Sequence, residues 1–152
     1  MTADAARPAD LRIDIDPPLG WKFEEKITLL RDPVDGDLPL ANVIASSELV
    51  PPEIDAEYYA RKMSAQLQQE CPAYRELQFE EMDVFGGRNG WLRRFEWEPE
   101  RGDPVTQLQI YYADDGRAFM ATATAKSADF EKCRAELAHV LYSLRLRPGA
   151  PQ

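Results

Sequence analysis

Histidine and cysteine are scarce in this chain, and their scarcity restricts the chemistry it can perform. Its 152 residues include one histidine and two cysteines, too few for the nitrogen and sulfur ligand sets typical of zinc sites. Cys71 and Cys133 lie in separate helical patterns and make no disulfide framework. We therefore predict packed thiols and no transition-metal site.

Long apolar runs are also missing. No stretch approaches the roughly 18 apolar residues that a membrane span needs. The first residues, MTADAARPADLRID, contain no apolar segment of the kind that a signal peptide requires. We therefore expect a cytoplasmic protein with no stable membrane association.

Basic residues are too few to balance the acidic ones. The chain has 18 Lys and Arg against 27 Asp and Glu, which gives a net charge of -9. Such a chain repels nucleic acid and anionic lipid headgroups. Its basic cluster, Arg145 and Arg147, follows a helical pattern, where positive charge complements the helix dipole. No nucleic-acid partner is expected.

The length and composition fit one globular domain. The chain is long enough to bury a core, and 44% hydrophobic with 30% charged residues is ordinary for such a domain. Residues 1–10 are rich in Ala, Asp and Pro, and residues 148–152 read PGAPQ. Both segments are predicted to be disordered, which leaves a single domain over residues 11–147.

Two amphipathic patterns predict helices. The first begins after Asp55, a good N-cap, and Ile54 and Tyr59 are spaced to form a hydrophobic staple across it. The second begins at Ser127, which we also interpret as an N-cap, and its apolar residues recur at helical spacing.

The remaining ordered segments have the alternation or the bounding turns of strands. The turns GGRNG and DDG supply the positive φ angles of tight hairpins, and short connections favour antiparallel pairing. The order is β-β-β-α-β-β-β-β-α, which predicts an α+β fold with an antiparallel sheet of about six to seven strands and two helices. The predicted strands cover 11–16, 21–30, 40–48, 77–85, 90–97, 105–112 and 117–125.

Most motifs that suggest a ligand site have a simpler structural explanation. Asp32, Asp35 and Asp37 surround a turn glycine but lack the spacing and distal glutamate of a calcium loop. The glycines at 86–90 precede a strand rather than a helix, so a hairpin turn is favoured over a phosphate loop. His139 stands alone on the second helix and is best explained as a packing or surface residue.

An acidic hairpin offers the remaining route to catalysis. Glu80, Glu96 and Glu98 lie on neighbouring predicted strands and could supply paired carboxylates. Alternation puts most of the hairpin's carboxylates on the wet side, and no nucleophile–base pair accompanies them. The absence of a catalytic constellation favours a binding protein over an enzyme.

One predicted sheet face is neither an ordinary core nor an ordinary surface. Alternation places Gln107 and Gln109 on the same side of their strand, in the stretch VTQLQIYY. Aliphatic and small residues of the earlier strands are predicted to share that face. Its predicted residues are Ile27, Leu29, Ile44, Ser46, Gln107 and Gln109. Such a face suits an apolar helix with exposed carbonyls or hydroxyls, while a plain back face without a ligand is the alternative.

A succession of short patterns resembles the DcrB-related small domains and, more narrowly, the Eag-type effector-associated chaperones of type VI secretion. The resemblance spans about residues 11 to 148 in the same order. The matching segments are LGWKFEEKITLLRDP, ANVIASSE, AEYYARKMSAQLQQECPAY, FGGRNGWLRRFEWE, VTQLQIYYADDGRAFMATATAKSADF and LYSLRLRP.

The resemblance implies a PsbP-like α+β fold and a cytoplasmic homodimer without catalytic residues or cofactor. It implies a chaperone that binds N-terminal transmembrane segments of a PAAR-containing effector and helps load it for export. The matching client-binding positions are Ile27, Leu29, Ile44, Ser46 and Gln109.

Two further glutamines are predicted to contact the client. Gln107 shares a face with Gln109, and Gln66 substitutes on the first helix, where Lys62 stands in place of a family amide.

Two other functions remain open. The same scaffold could be a non-catalytic adapter for a folded globular partner, or an enzyme that uses the acidic hairpin. Solubilisation of an apolar segment distinguishes the chaperone from the adapter, and neutralising the hairpin carboxylates tests the enzyme.

Overall fold

A computed structural model of the chain describes residues 18–20, 25–31 and 41–146. The predicted first strand, the two predicted disordered ends and the acidic loop at 32–37 lie outside these residues. The described elements are β1 (Glu25–Leu30), β2 (Ala41–Leu49), α1 (Ala56–Glu70), β3 (Arg75–Val84), β4 (Arg88–Trp97), β5 (Val105–Asp114), β6 (Arg117–Lys126), a 3₁₀ turn (Ser127–Asp129) and α2 (Phe130–Ser143).

The six described strands form one antiparallel sheet in the order β1-β2-β6-β5-β4-β3. The predicted antiparallel α+β fold with two helices is therefore confirmed. Most strand boundaries lie within two or three residues of those predicted, because turn residues delimit most of the strands.

Each helix packs on a different face of the sheet. α2 lies on β2 and β6 and buries Phe130, Cys133, Leu137 and Leu141 against a core that includes Ile110. α1 packs chiefly on β5 and β4. It buries Tyr59 and Ala60 in a second, smaller cluster with Tyr111, Ala113 and Ala118. We call the face on which α2 packs the α2 face and the face on which α1 packs the α1 face.

The start of α1 is as predicted, and the start of α2 is not. The Asp55 side chain accepts from the backbone N–H of Tyr58 at 2.8 Å, and Ile54 packs against the cluster that contains Tyr59. The prediction of Ser127 as the N-cap of α2 is wrong. Its hydroxyl lies 2.8 Å from that of Thr106, and a 3₁₀ turn at Ser127–Asp129 precedes the α-helix, which begins at Phe130.

Both predicted hairpin turns are present. Asp115 and Gly116, between β5 and β6, have φ angles of 49° and 81°, and Phe85, Gly86 and Gly87 also have positive φ between β3 and β4. Paired positive φ angles match the twist of the flanking strands. The short turn between β5 and β6 sets their register, and the register determines which of their side chains share a face.

None of the helices in the described ranges is both long and apolar enough to cross a membrane. Over those same residues, no three His, Cys, Asp or Glu side chains cluster in a way that could hold a metal ion.

Candidate functional site

The strand register determines which predicted site residues share a face, because directly paired antiparallel residues point to the same side. Ile44 is paired with Thr122, and Thr122 with Gln109. The next row on this side joins Thr124 and Gln107. Ser46 occupies the same side of β2 two residues beyond Ile44. The structure thus brings Ile44, Ser46, Gln107 and Gln109 onto the α1 face.

The prediction that Ile27 and Leu29 join this face is wrong. Ile27 is paired with Ala45 and Leu29 with Val43, and both partners pack with the core beneath α2. Ile27 and Leu29 are therefore half-exposed on the α2 face. Leu30 takes their place on the α1 face with a side chain that is 74% exposed, because a shift of one residue reverses the side of a strand.

Part of the α1 face carries side chains that are exposed or half-buried. α1 packs chiefly on β5 and β4, and this part is built by β1, β2 and β6. We call it the open half-face. It consists of Lys26, Thr28, Leu30, Asn42, Ile44, Ser46, Thr122 and Thr124. The side chains at its centre are aliphatic or carry a hydroxyl group.

Helix α1 borders the open half-face with its Gln66 flank. On the other flank, the Arg61 guanidinium lies 5.4 Å and 5.5 Å from the ring centroids of Phe79 and Trp91, which belong to β3 and β4. Gln66 follows five residues later, about 140° around the helix, so it lies on the flank turned toward β6 and β2. Gln66 is exposed and donates to Glu70 at 3.2 Å. Lys62, also exposed, points farther from the sheet.

A buried arginine joins α1 to the sheet. The Arg93 side chain has no solvent exposure and donates to the Tyr111 hydroxyl at 2.6 Å and to the Ala60 carbonyl at 2.9 Å. Its Nε donates to Glu76 at 3.0 Å. The guanidinium also lies 4.4 Å from the ring centroid of Phe79. Charge, hydrogen bonds and ring contact together compensate for removing the guanidinium from water.

A bulge in the edge strand β3 makes this ion pair possible. The register shifts between Glu76 and Gln78, which leaves Leu77 as an extra residue. An extra residue reverses the alternation of side chains. Glu76 and Phe79 consequently both point to the α1 face, beside Arg93.

Arg93 also sets the state of Tyr111 and Gln109. Tyr111 accepts from Arg93, so its own proton goes to the Gln109 oxygen. The Gln109 amide nitrogen donates to Thr122 at 3.1 Å. Burial raises the pKa of Tyr111 above its ordinary value, although the neighbouring Arg93 charge opposes the shift. The hydroxyl therefore stays protonated in the neutral range.

Gln107 occupies a matching arrangement one row away. Its oxygen accepts from the Trp97 indole N–H at 2.8 Å, and its nitrogen donates to Thr124 at 2.8 Å. The sequence predicts that both amides face a partner. Gln109 is instead only 6% exposed, and both amides are bonded within the sheet, because threonines stand opposite them on β6.

The acidic hairpin does not assemble a paired-carboxylate site. Glu80 is paired with Leu92 in the register, and Glu96 is paired with Arg75 and forms an ion pair with it. Glu98 is exposed. These carboxylates are directed to different neighbours rather than to one another.

The single histidine and the two cysteines have ordinary positions. His139 is exposed on α2, and Cys133 is a free, fully buried thiol in the core. Cys71 is a free thiol whose pKa is raised by partial burial and by Glu70. A raised pKa reduces the reactive thiolate fraction.

Sequence reasoning missed several residues of this site, although some left a signal. Arg93 alternates with Trp91 and Phe95 in WLRRFEW, which predicts a side chain on an aromatic face. Thr122 and Thr124 follow from the DDG turn, whose short length places them opposite the glutamines. Leu30 had no clear signal, since ITLL has adjacent apolar residues on both faces.

Comparison with protein families and known proteins gives one family match. The DcrB family model matches residues 18–143, which is most of the chain. No curated protein matches significantly.

Several solved structures are similar to this one. PA94 of Pseudomonas aeruginosa, a protein of unknown function described as a candidate regulator, has a TM-score of 0.72 and 16% identity, covering 90% of this chain and 93% of its own. LpqN of Mycobacterium tuberculosis, involved in cell envelope biogenesis, has a TM-score of 0.56 and 17% identity, covering 77% and 68%. The cyanobacterial PsbP of Synechocystis sp. PCC 6803 has a TM-score of 0.48 and 10% identity, covering 84% and 95%. At these identities the first two likenesses show a shared fold.

Proposed function

We propose a function from one premise, which is that the chain belongs to the DcrB family. The protein is a non-catalytic cytoplasmic chaperone that acts as a homodimer. It binds the N-terminal transmembrane helices of a PAAR-containing type VI secretion effector, shields them from water and helps load the effector for export. The client helix lies on the open half-face.

The observation that carries this proposal is the chemical mixture on the open half-face. Ile44 and the exposed Leu30 provide hydrocarbon, and Thr122, Thr124 and Ser46 provide hydroxyl groups beside it. Transmembrane helices meet one another through small residues that bring backbones close, with hydroxyls and amides as hydrogen-bonding partners. A face of this composition presents to a client what a neighbouring helix presents in a bilayer.

The dimensions of the open half-face also suit a helix. Adjacent strands lie about 4.8 Å apart, so the backbones of β1 and β6 are separated by about 10 Å across β2. A helix with its side chains has a diameter of about 10–12 Å. Gln66 on α1 borders this surface, and in this proposal it contacts the side of the client.

The energetics permit both binding and release. An interface of standard size buries about 800 Å² on each partner, and at about 25 cal/mol per Å² the client's share amounts to about 20 kcal/mol. Ordering and lost translational freedom offset about 4–15 kcal/mol of this gain. The net affinity is useful for a holdase that must later give up its client.

A pair of adjacent substitutions tests which surface binds the client. The full chain is co-expressed with an apolar segment of about 20 residues, fused to a soluble carrier, and the soluble fraction of the fusion is measured after membranes are removed. Leu30→Asp places a charge on the open half-face and should abolish protection. Leu29→Asp places the same charge on the α2 face of the same strand and should preserve it.

The other outcomes have distinct meanings. Loss of protection only in Leu29→Asp would indicate that the client binds the α2 face. No protection by the unmodified chain would contradict the chaperone function and favour an adapter for a folded partner.

A further inference from the structure

We infer that Thr122 and Thr124, rather than the glutamines beside them on β5, make the polar contacts with the client, and that both act as hydrogen-bond donors. This inference rests on the proposed function and adds the chemistry that the site recognises. It follows from the direction of two hydrogen-bond chains that run across the α1 face, from β4 through β5 to the open half-face on β6.

The first chain begins at Arg93. A guanidinium can only donate, so Tyr111 accepts its N–H at 2.6 Å. The Tyr111 proton then goes to Gln109, which makes Oε1 the acceptor and directs the amide nitrogen to Thr122. Each donor in the order Arg93, Tyr111, Gln109, Thr122 thus faces the next group as its acceptor, and the chain ends on the open half-face.

The second chain begins at Trp97 and has the same polarity. An indole N–H can only donate, so the Gln107 oxygen accepts it at 2.8 Å and the amide nitrogen faces Thr124. A flipped Gln107 would set its amide N–H against the Trp97 indole N–H, and a flipped Gln109 would take from the Tyr111 proton the oxygen that accepts it. Each amide therefore directs an N–H at the threonine beside it on β6.

Each threonine consequently has a proton left to donate. Thr122 and Thr124 each accept one amide N–H, and within the described ranges neither donates to another group. Both side chains are half-buried on the open half-face. The first chain starts at a charged donor, and such chains strengthen successive donors. The open half-face thus offers two hydroxyl donors to a ligand.

The matching ligand presents two acceptors at a similar spacing. Side chains two residues apart on a strand are about 6.6 Å apart, and backbone carbonyls four residues apart on a helix are separated by about 6 Å along the axis. A helix exposes its carbonyl oxygens best where small residues recur every four positions. We therefore assign the site to helices with a small-x-x-x-small repeat, which the threonines contact through backbone carbonyl oxygens.

Two synthetic peptides test this assignment with the full chain. One is an apolar helix of about 20 residues that carries a Gly-x-x-x-Gly repeat, and the other has leucine in place of both glycines. Binding is measured by fluorescence anisotropy in a mild detergent. Loss of one neutral hydrogen bond corresponds to an affinity loss of about five-fold. Thr122→Val and Thr124→Val should each weaken binding of the glycine peptide about five-fold, and the double variant about 25-fold.

Matched variants separate the hydroxyl from the fold. Thr122→Ser and Thr124→Ser retain the donor and should bind within about two-fold of the unmodified chain, since the hydroxyl supplies the contact. In Gln107→Glu the ionised carboxylate can only accept, so Thr124 turns its proton inward, and the glycine peptide should again bind about five-fold more weakly. Binding of the leucine peptide should change less in every variant, because leucine side chains cover the carbonyl oxygens.

The results distinguish this inference from the proposed function. Equal binding of the glycine peptide by the unmodified chain and by the double valine variant would overturn the donor role while leaving the chaperone function intact. No binding of either peptide by the unmodified chain would overturn both.

Discussion

Replacement of Arg93 by alanine should destabilise the fold far more than replacement of its neighbour Arg94. Arg93 is fully buried and donates three hydrogen bonds, to Glu76, Tyr111 and the Ala60 carbonyl. Arg94 points to the α2 face, where it pairs with an exposed glutamate. The two arginines are adjacent on β4, so the comparison isolates the effect of the face on which each lies.

The expected magnitude follows from these contacts. Each hydrogen bond contributes on the order of 1 kcal/mol net, and the cavity left by the side chain adds a further loss. Two effects reduce the total. The unmodified chain bears the cost of keeping the guanidinium out of water, and Glu76 is 40% exposed, so water can solvate it after the substitution. We expect Arg93→Ala to lower the free energy of unfolding by about 3 kcal/mol.

The control should change little. Arg94→Ala removes an exposed ion pair and a contact with the Phe130 ring, which together contribute about 1 kcal/mol. Urea unfolding at pH 7, followed by circular dichroism, measures both variants. A shift in the midpoint at constant slope identifies a change in stability. Equal losses in the two variants, or less than 1 kcal/mol for Arg93→Ala, would refute the role given to the buried arginine.

Three further predictions concern the same fold. Because the pKa of Tyr111 is raised above 10.0, the stability that its protonated form contributes is complete below that pH and is lost as the pH rises toward the folded-state pKa. Between pH 9 and pH 11 the free energy of unfolding in urea should therefore fall less in Tyr111→Phe than in the unmodified chain. An equal fall in the two proteins would contradict this. Asp55→Ala removes the N-cap of α1 and should cost about 1 kcal/mol in the same assay, whereas an unchanged midpoint would show that the cap is dispensable. In Gly90→Ala the new methyl would meet the Tyr111 carbonyl and the Val84 side chain, so a loss of about 2 kcal/mol or more is expected, and a melting temperature equal to that of the unmodified chain would be inconsistent with this close contact.

The β5–β6 hairpin shows how much of the site the sequence contains. A short turn with two positive φ angles fixes the register of the strands that it joins. The alternation of Gln107 and Gln109 and their position opposite Thr122 and Thr124 therefore follow from local sequence. The antiparallel fold was predictable for the same reason, since β3 to β6 are joined by short connections.

The side of the sheet on which each β1 side chain lies could not be predicted in the same way. Residues 31–40 separate β1 from β2 in the sequence, and a connection of that length does not fix a register. The sequence ITLL places apolar residues on both sides of the strand, so its alternation does not decide which side is inward. The pairing of Ile27 with Ala45 decides it. That pairing is a tertiary property, and for this reason the sequence pattern predicts the wrong face for Ile27 and Leu29.

Arg93 and Ser127 illustrate a second limit. Two adjacent arginines ordinarily indicate a solvated strand, yet one of them is buried because a bulge brings Glu76 to its side. Ser127 is a typical N-cap residue, but Thr106 of β5 engages its hydroxyl. In both cases a partner distant in sequence overrides the local preference.

Site-specific photo-crosslinking tests most directly whether the client occupies the open half-face. A photoreactive residue is placed at position 28 or at position 27 of the full chain, and each protein is irradiated with the glycine-repeat peptide. Thr28 is paired with Ile44 on the open half-face, whereas the neighbouring Ile27 points to the α2 face. Crosslinks from position 28 with few or none from position 27 are the predicted result. Crosslinks from position 27 alone would contradict the assignment of the client to this face.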